Sequence, residues 1–347
     1  MSSSDEKKKI VLYHYSASPY ARRIVWYLAL RGIPYVQCMQ PPVLPRPDVE
    51  KLGVVHRRIP ILAIGRDIYY DTRLMLRKLE RLYPSRPRLG AAVPDQAAVE
   101  RLLEALVIDG GVFSSAINVL PTNLPWLRDP ESTWFKDRGS YLGRELSAES
   151  IRRARPTAVN EIRRMMELLE TTLLADGREW VLKTDGPGLA DIEAVWLPHW
   201  LAGIPGALLP EEQISAERFP RVFAWIGRFQ EAASAAKKAA PRVATVSGNE
   251  AAGIVASSPY NEAAGRVDAA DALAAAEGLA AGDDVILWPA DTGASHKDTG
   301  KLVSLDGNEV VIEVQGPKGP ARVHAPRHGF RVEKLDKFKE RRASAKL

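Results

Sequence analysis

The stretch IVLYHYSASPYARRIVWYLALRGIPYVQ, from Ile10 to Gln37, decides how the first part of the chain folds. Its opening residues, Ile10 to Tyr15, are β-branched and aromatic and predict a strand. Ser18 and Pro19 then begin a helix, because proline suits the first helical turn and serine caps it. Apolar residues recur at helical spacing as far as Gly32, and a second strand follows. The stretch therefore predicts a β-α-β unit with a serine at the start of the helix.

Ser18 has two interpretations. As an N-cap, its side chain contributes about 1 kcal/mol to helix stability and takes no part in chemistry. As a functional group, its hydroxyl donates a hydrogen bond to an anion such as a thiolate, which the backbone N–H groups and the positive end of the helix also stabilise. The residues of the turn alone leave both interpretations open.

The next part of the sequence predicts a hairpin followed by a helix. Residues 57–64 form an extended run that contains Pro60, and a turn at residues 65–67 leads into a second short strand. Asp71 and Thr72 then open an amphipathic helix. At a helix start either residue is most often a cap, so this pair by itself does not establish a binding site.

In this order, the motifs resemble the glutathione-binding domain of glutathione transferases. The turn Ser18-Pro19-Tyr20-Ala21 is similar to that of the tau class, which carries serine there, and of the omega class, which carries cysteine. Arg58-Ile59-Pro60-Ile61-Leu62 resembles the family's cis-proline segment, and Asp71-Thr72 stands where the family usually has Glu-Ser. The resemblance implies a thioredoxin-like βαβ-α-ββα domain at residues 10–88 and a cis peptide bond before Pro60.

The resemblance also implies that glutathione is a cosubstrate bound along this domain, with no metal. Ser18 is the implied catalytic hydroxyl, and Ser16, Tyr15 and Tyr13 are the alternatives, since classes of the family place the thiol-contacting residue differently along the turn. The implied glutathione-binding residues are Pro19, Tyr20, Arg57, Arg58, Ile59, Pro60, Asp71 and Thr72.

Each implied contact has a physical reason. Glutathione carries two carboxylates, an ammonium and a thiol, so its site needs positive groups, an acid and a strand-like edge. Arg57 or Arg58 would meet the glycyl carboxylate, and Ile59 would pair with the peptide backbone. Asp71 would meet the ammonium, and Thr72 with its N–H would meet the γ-glutamyl carboxylate.

Two features depart from the family pattern. Asp71 is one methylene shorter than the family's glutamate. The segment 37–56 contains Pro41, Pro42, Pro45 and Pro47, which replace or distort the family's second helix. These features decide whether glutathione binds, and they keep a second hypothesis open.

Composition sets the broad class of the protein. A chain of 347 residues exceeds what one core usually holds and predicts two or three domains. A net charge of +5 is mild and does not indicate nucleic-acid binding. The single cysteine, Cys38, excludes an internal disulfide framework and is expected to be a buried small hydrophobe in a reducing compartment. Because no run is long and apolar enough to span a bilayer, we expect a cytoplasmic protein without membrane contact.

Residues 94–240 predict an all-helical domain with two long amphipathic helices. Between them, residues 121–144 carry Trp126, Trp134, Phe135 and Tyr141, which would line a pocket for an apolar electrophile or pack in the core. Asp191 follows a glycine where the family has Ser or Thr, and we interpret it as a structural helix cap. No acid or cysteine stands at a spacing from His199 that would indicate a catalytic pair. This favours a core position for His199.

The character of the sequence changes after residue 240. Residues 241–281 predict an extended connector, and residues 282–335 predict five short strands that suggest a small SH3-like β-barrel. This module resembles the C-terminal extension of certain fungal transferase-like proteins. Its histidines, His296, His324 and His328, are expected on the surface or in loops. Residues 1–9 are expected to be disordered, and residues 336–347 form a charged tail.

Two functional hypotheses follow. In the first, the protein is a glutathione transferase-like enzyme, in which a serine-type site lowers the pKa of the glutathione thiol. The thiolate would then be conjugated to a small hydrophobic electrophile or promote lyase, isomerase or dehydratase chemistry on it, as some fungal-type members do in biosynthesis. In the second, the fold is a non-catalytic ligand-binding or scaffold protein that has lost glutathione binding. The resemblance also implies a homodimer.

Overall fold

The computed structural model describes residues 9–129, 131–208 and 210–344. Its N-terminal domain contains the predicted order of elements. They are β1 (Ile10–His14), α1 (Pro19–Leu30), β2 (Val36–Met39), α2 (Pro47–Glu50), β3 (Ile61–Ile64), β4 (Asp67–Tyr69) and α3 (Thr72–Leu82). Strand β1 is parallel to β2 and antiparallel to β3, which pairs with β4. The thioredoxin-like topology is therefore confirmed, while residues 1–8 of the segment predicted to be disordered lie outside the described ranges.

Strand β1 is buried on both faces, which explains its continuous apolar sequence. Ile10 and Leu12 pack into a core that extends into the helical domain, whereas Val11 and Tyr13 pack into a second core on the other side of the sheet. Cys38 belongs to this second core, as predicted, and burial raises the pKa of its thiol to about 11. This thiol is therefore not poised for chemistry.

The proline-rich segment replaces most of a helix, as the sequence predicts. Helix α2 is only four residues long. The Leu44–Pro45 and Ile59–Pro60 peptide bonds are both cis, which confirms the cis bond predicted before Pro60. Arg46 fixes the segment through hydrogen bonds from Nε to the carbonyl of Pro41 (3.0 Å) and from Nη2 to that of Pro42 (3.0 Å).

The central part of the chain is helical, as predicted. Its elements are α4 (Pro94–Ile108), α5 (Val112–Asn118), α6 (Thr133–Leu142), α7 (Ala148–Leu168), a π-helical turn (Leu169–Leu173), α8 (Leu189–Ala202) and α9 (Pro220–Ala239). Helix α8 is buried along most of its length. Asp191 near its start is fully buried and accepts hydrogen bonds from Val181 N (3.0 Å), Gly188 N (2.9 Å) and Trp225 Nε1 (2.8 Å). The structural interpretation of Asp191 is confirmed.

We define residues 241–344 as the C-terminal extension. It contains β5 (Ala244–Thr245), α10 (Gly248–Ser257), α11 (Ala272–Glu277), β6 (Asp284–Pro289), β7 (Asp298–Leu305), β8 (Glu309–Gly316), β9 (Gly319–Pro326), β10 (Phe330–Lys334) and α12 (Leu335–Ser344). The five predicted strands, β6 to β10, are present. The segment 241–281, predicted to be a connector, contributes β5, α10 and α11.

The extension continues the sheet of the N-terminal domain. The strand order is β10-β6-β7-β8-β9-β4-β3-β1-β2-β5, in which β9 is parallel to β4 and β5 is parallel to β2. The predicted closed barrel is not confirmed, because β9 pairs with β4 instead of completing a ring. Strand β4 would otherwise be an edge with unpaired N–H and C=O groups, and β9 satisfies them. This pairing fixes the extension beside the N-terminal domain.

The prediction for His324 is wrong, because this residue is buried in β9. Its Nε2 lies 2.9 Å from Asp67 Oδ1, and its Nδ1 contacts Glu309. Burial opposes protonation, but the two acids outweigh it and raise the pKa of His324 above its usual value. His328 is exposed, as predicted, and His296 is partly exposed. Within the described ranges, no helix has the length and apolar composition needed to cross a bilayer.

Candidate active site

Two adjoining cavities lie where the three parts of the chain meet. The polar cleft, of about 450 Å³, is lined by Asp71, Thr72 and Arg73 with residues from the helical domain and the extension. The aromatic pocket, of about 360 Å³, is lined by Ser18, by aromatic residues and by arginines. The residues that line both cavities are Tyr20, Arg58, Ile59, Phe113 and Tyr141. The two cavities therefore adjoin along these shared residues.

Almost all the predicted site residues line these cavities. Those of the aromatic pocket alone are Tyr15, Ser18, Pro19 and Arg57. Those of the polar cleft alone are Pro60, Asp71 and Thr72. Ser16 is exposed and is not part of either lining. Tyr13 is buried in the core on the other side of the sheet, where burial raises the pKa of its hydroxyl.

Ser18 caps α1 and also faces the aromatic pocket. Its Oγ accepts a hydrogen bond from Ala21 N at 3.2 Å, so the capping interpretation is confirmed. A hydroxyl that accepts one hydrogen bond still has its own proton to donate. The first N–H groups of a helix have no intrahelical partner and carry partial positive charge. The start of α1 can thus cap the helix and stabilise an anion in the pocket at the same time.

Tyr15 is the other predicted hydroxyl that lines the aromatic pocket. Its hydroxyl lies 3.4 Å from Arg138 Nη2, which is a weak hydrogen bond. The guanidinium of Arg46 lies over its ring at 5.9 Å. These contacts place Tyr15 beside two arginines in the pocket.

Asp71 is already paired inside the chain. Its Oδ1 accepts hydrogen bonds from Arg73 N and Nε, both at 2.9 Å, and its Oδ2 accepts one from Arg73 Nη2 at 2.7 Å. Burial would raise the pKa of Asp71, but the hydrogen bonds and charge of Arg73 outweigh burial and lower it to about 2. Asp71 also adopts a φ of 66°, which residues other than glycine rarely do. The carboxylate expected to meet the ammonium of glutathione is therefore shared with Arg73.

The pairing continues along the wall of the polar cleft. Arg73 Nη1 donates to both carboxylate oxygens of Asp109 at 3.0 Å. His328 of the extension lies with its Nε2 3.2 Å from the same carboxylate. The sequence reasoning missed these partners, because 36 and 219 residues separate Asp109 from Arg73 and His328.

The side chain of Thr72 is engaged in the interior. Its hydroxyl accepts a hydrogen bond from Arg23, which also pairs with the buried Glu193 of α8. Burial raises the pKa of Glu193 to about 7, although the charge of Arg23 partly offsets this. The backbone N–H of Thr72, at the start of α3, is the part of this residue best suited to a ligand carboxylate.

Arg57 and Arg58 point to different parts of the protein. Arg57 Nη2 donates to Asp137 Oδ1 of α6 at 2.9 Å, and its Nη1 donates to Ser140 Oγ at 3.2 Å. Arg58 donates to the carbonyl of Thr292 at 2.6 Å from Nη2 and pairs with Asp291, both in the extension. The extension therefore holds an arginine of the wall between the two cavities.

The aromatic residues of the helical domain divide between the pocket and the core. Trp126, Trp134 and Tyr141 line the aromatic pocket, whereas Phe135 packs in a small separate core. The sequence reasoning missed other residues of the pocket, namely Arg22, Arg46, Phe113, Arg138 and Trp200. Arg22 follows Ser18 by one turn of α1 and could have been found from helical spacing, whereas Phe113, Arg138 and Trp200 lie on three other helices that local sequence does not place beside the turn.

Outside the two cavities, Glu262, Glu309 and His324 bring donor atoms within 4.8 Å of one another. This cluster has the donor types of a metal site. However, Lys78 Nζ lies 2.6 Å from Glu262 Oε2 and 2.8 Å from Glu309 Oε2. The ammonium already pairs with both acids, so we interpret the cluster as an ionic link between α3 and the extension.

Comparison with protein families identifies two segments of the chain. Residues 12–87 match the model of the glutathione S-transferase N-terminal domain. Residues 115–238 match a family described as a domain of unknown function. A search of curated proteins gives no match.

Solved structures share the fold. A GST-like protein from Pseudomonas syringae is 22% identical, with a TM-score of 0.65, and the match covers 94% of this chain and 98% of that chain. The β-etherase LigF from Sphingobium sp. strain SYK-6 is 16% identical, with a TM-score of 0.51, and the match covers 66% of this chain and 99% of that one. The first match includes most of the extension and is bacterial, so the extension is not confined to fungal proteins.

Proposed function

We propose that the chain is a glutathione transferase-like enzyme, on the premise that its residues 12–87 match the glutathione S-transferase N-terminal domain. It uses a serine-type site to join glutathione to a hydrophobic electrophile, or to promote lyase, isomerase or dehydratase chemistry on one. The observation that carries this proposal is the shared wall: Ser18 and the start of α1 line the aromatic pocket, which adjoins the polar cleft along Ile59. A thiol and an apolar substrate can therefore meet there.

In this proposal, glutathione binds in one orientation across the two cavities. Its γ-glutamyl end lies in the polar cleft at the start of α3, and its backbone pairs with Ile59 before the cis-proline. Its thiol then points toward Ser18. In this proposal Arg57 or Arg58 meets the glycyl carboxylate, which is supported by the position of both in the lining of the aromatic pocket.

The chemistry follows from stabilising the thiolate. The Ser18 O–H and the N–H groups of the α1 start favour the charged form of the thiol and lower its pKa. The proton leaves to solvent, and the sulfur attacks an electrophilic carbon held in the aromatic pocket. In a substitution, the new C–S bond forms as the leaving group departs with its electron pair.

One observation favours a second candidate, a ligand-binding or scaffold protein without glutathione chemistry. The acid expected to meet the ammonium of glutathione is already held by Arg73 through three hydrogen bonds. A ligand must share or displace these bonds, which lowers its affinity. The two candidates therefore differ in whether glutathione binds.

Thermal unfolding with and without glutathione separates the two candidates. A ligand that binds only the folded state at about 100 times its Kd stabilises the protein by about 2.7 kcal/mol and raises Tm by several degrees. S-methylglutathione, which has no free thiol, serves as a binding control. Unchanged Tm at 10 mM of either compound (about tenfold above a millimolar Kd) supports the binding-protein alternative.

The role of Ser18 is tested with Ser18→Ala and the matched control Ser16→Ala. Loss of one preorganised donor to a developing anion typically lowers kcat by about 10²-fold, so the first variant should lose that much turnover of 1-chloro-2,4-dinitrobenzene. It should keep its affinity for S-methylglutathione, and Ser16→Ala should be unchanged. If both variants keep the turnover of the wild type, the role of thiol donor passes to Tyr15.

The homodimer and the cytoplasmic location also stay predictions.

A further inference from the structure

The aromatic pocket has a charge pattern that conjugation of a neutral substrate does not use. Its lining contains five arginines, Arg22, Arg46, Arg57, Arg58 and Arg138. No aspartate or glutamate is part of that lining among the residues that the structure describes. An apolar cavity with charges of one sign selects ligands of the opposite sign.

Arg46 shows most clearly that the positive charge is not neutralised. It is 4% exposed, and its guanidinium donates to the backbone carbonyls of Pro41, Pro42 and Arg57. Carbonyl groups solvate a cation but carry no net charge. Burial lowers the pKa of Arg46 to about 10, while Tyr15 and Asp137 raise it and Arg138 and Arg57 lower it. The group remains a cation at neutral pH.

The acids near the other arginines are too few to balance them. Asp137 of α6 serves both Arg57, at 2.9 Å, and Arg138, at 3.3 Å. Arg58 pairs with Asp291. The Arg22 side chain contacts His199 Nδ1 at 3.5 Å, and this imidazole is an uncharged partner because burial lowers its pKa. Positive charge therefore exceeds negative charge around the pocket.

Glutathione would not remove this excess. Its glycyl carboxylate near Arg57 and Arg58 and its thiolate near Ser18 would supply two negative charges, and with Asp137 and Asp291 these make four against five arginines. Among the described residues, Arg22 and Arg46 have no acidic hydrogen-bond partner. The remaining lining, with Trp126, Trp134 and Trp200, is flat and apolar. At about 360 Å³, the cavity suits a molecule of about two fused rings.

We propose that the second substrate is a flat aromatic molecule that carries an anionic group, a carboxylate or a sulfonate. Its rings lie among the tryptophans, and its acid lies beside the cluster of Arg46 and Arg138. That this molecule is a substrate rests on the proposed function. That the pocket prefers an aromatic anion rests on the pocket alone.

Binding of 2-naphthoate and 2-naphthamide to the full chain tests the inference. The two probes have nearly the same shape and differ in charge, and tryptophan fluorescence reports binding because three tryptophans line the pocket. We expect naphthoate to bind at least about tenfold more tightly at low salt and to lose this advantage at 1 M salt, since screening weakens charge pairs. Equal affinities, or tighter binding of the amide, would overturn the inference.

Variants locate the anion site. Arg138→Gln should weaken naphthoate at least about threefold and leave naphthamide unchanged, whereas the exposed Arg164→Gln on α7 should affect neither. If Arg138→Gln does not fold, Arg46→Gln, in the same cluster, gives the same test. Equal losses for both probes would indicate a structural effect and contradict the assignment.

The result is separable from the proposed function. Selective binding of naphthoate by a protein that glutathione does not stabilise keeps the anion pocket and removes the transferase activity. Turnover with glutathione together with no preference for naphthoate removes the anion pocket and keeps the activity.

Discussion

Arginines line both cavities, but the two cavities differ in how these arginines are partnered. In the polar cleft, Asp71, Arg73 and Asp109 form a chain of ion pairs, and Arg58 pairs with Asp291. In the aromatic pocket, arginines outnumber acids, and Arg46 has only carbonyl groups as hydrogen-bond partners among the described residues. A ligand in the cleft must exchange internal pairs for new ones, whereas an anion in the pocket meets charge that is still unneutralised. The partners of a residue, more than its type, therefore decide what a site binds.

The largest expected effect comes from breaking the pairing in the cleft. Arg73→Met removes the cation from Asp71 and leaves a buried carboxylate without a charged partner, which should cost about 3–5 kcal/mol of unfolding free energy. Arg138→Met in the aromatic pocket removes one of several neighbouring cations and should cost less than about 1 kcal/mol. Urea unfolding measures both. Similar losses of unfolding free energy in the two variants would contradict the conclusion that the charges are paired in the cleft and unneutralised in the pocket.

A second buried carboxylate, Asp298, extends the comparison. Asp298 accepts hydrogen bonds from Val55 N (2.6 Å) and Tyr70 Oη (2.9 Å) and has no cationic partner among the described residues. Burial raises its pKa to about 6, whereas the pKa of Asp71 beside Arg73 is about 2. The presence of a guanidinium accounts for the opposite directions.

The two carboxylates should respond oppositely to pH. The raised pKa of Asp298 means that its stabilising contribution is present below about pH 4 and is lost as pH rises through about 6, by on the order of 3 kcal/mol. The lowered pKa of Asp71 means that its contribution is present above about pH 4 and is lost as pH falls toward 2. The unfolding free energies of the wild type and Asp298→Asn should agree near pH 4, where Asp298 is protonated. They should differ at pH 7, where Asp298 is charged. A constant difference across this range would contradict the assignment.

A smaller effect is expected from releasing Arg58. Asp291→Asn frees the guanidinium for the glycyl carboxylate, so the affinity for S-methylglutathione should increase. The pair involves a side chain that is 65% exposed and contributes at most about 1 kcal/mol, which limits the gain to about fivefold. The matched control is Asp284→Asn, an exposed acid paired with Lys301 elsewhere in the extension. Weaker binding by Asp291→Asn would show that Asp291 supports the site and does not compete with the ligand.

The smallest effect is expected for Tyr15→Phe. The hydroxyl makes one long contact with Arg138, so its loss should change kcat/KM by no more than about twofold, equivalent to roughly 0.5 kcal/mol. Steady-state kinetics beside Ser18→Ala give the comparison. A loss as large as that of Ser18→Ala would make Tyr15 part of the catalytic machinery.

Local sequence predicted the elements of the N-terminal domain well. The strands and the Ser18-Pro19 helix start are present, because each depends on neighbours within a few residues. The cis bond before Pro60, which the family resemblance implied, is present too. The buried position of Cys38 and the structural role of Asp191 were also predicted correctly. The five strands of the extension were found for the same reason, since turn residues and strand residues alternate there.

The errors came from contacts between distant residues. The surface position predicted for His324 is wrong because β9 pairs with β4, which brings Asp67 to an imidazole 257 residues away. The predicted barrel is not confirmed for the same reason, since an available edge of the N-terminal sheet accepts β9. No local pattern encodes which edge a strand will join.

The sequence by itself determined the order of the elements in the N-terminal domain, their resemblance to glutathione transferases and a serine at the start of α1. Only the tertiary structure decided that Arg73 holds Asp71, that the extension holds Arg58 and that arginines from three distant segments surround the aromatic pocket. Secondary structure depends on neighbours along the chain, whereas the charge of a site depends on neighbours in space. For this chain, the fold can therefore be read from local pattern, but the ligand that the site prefers cannot.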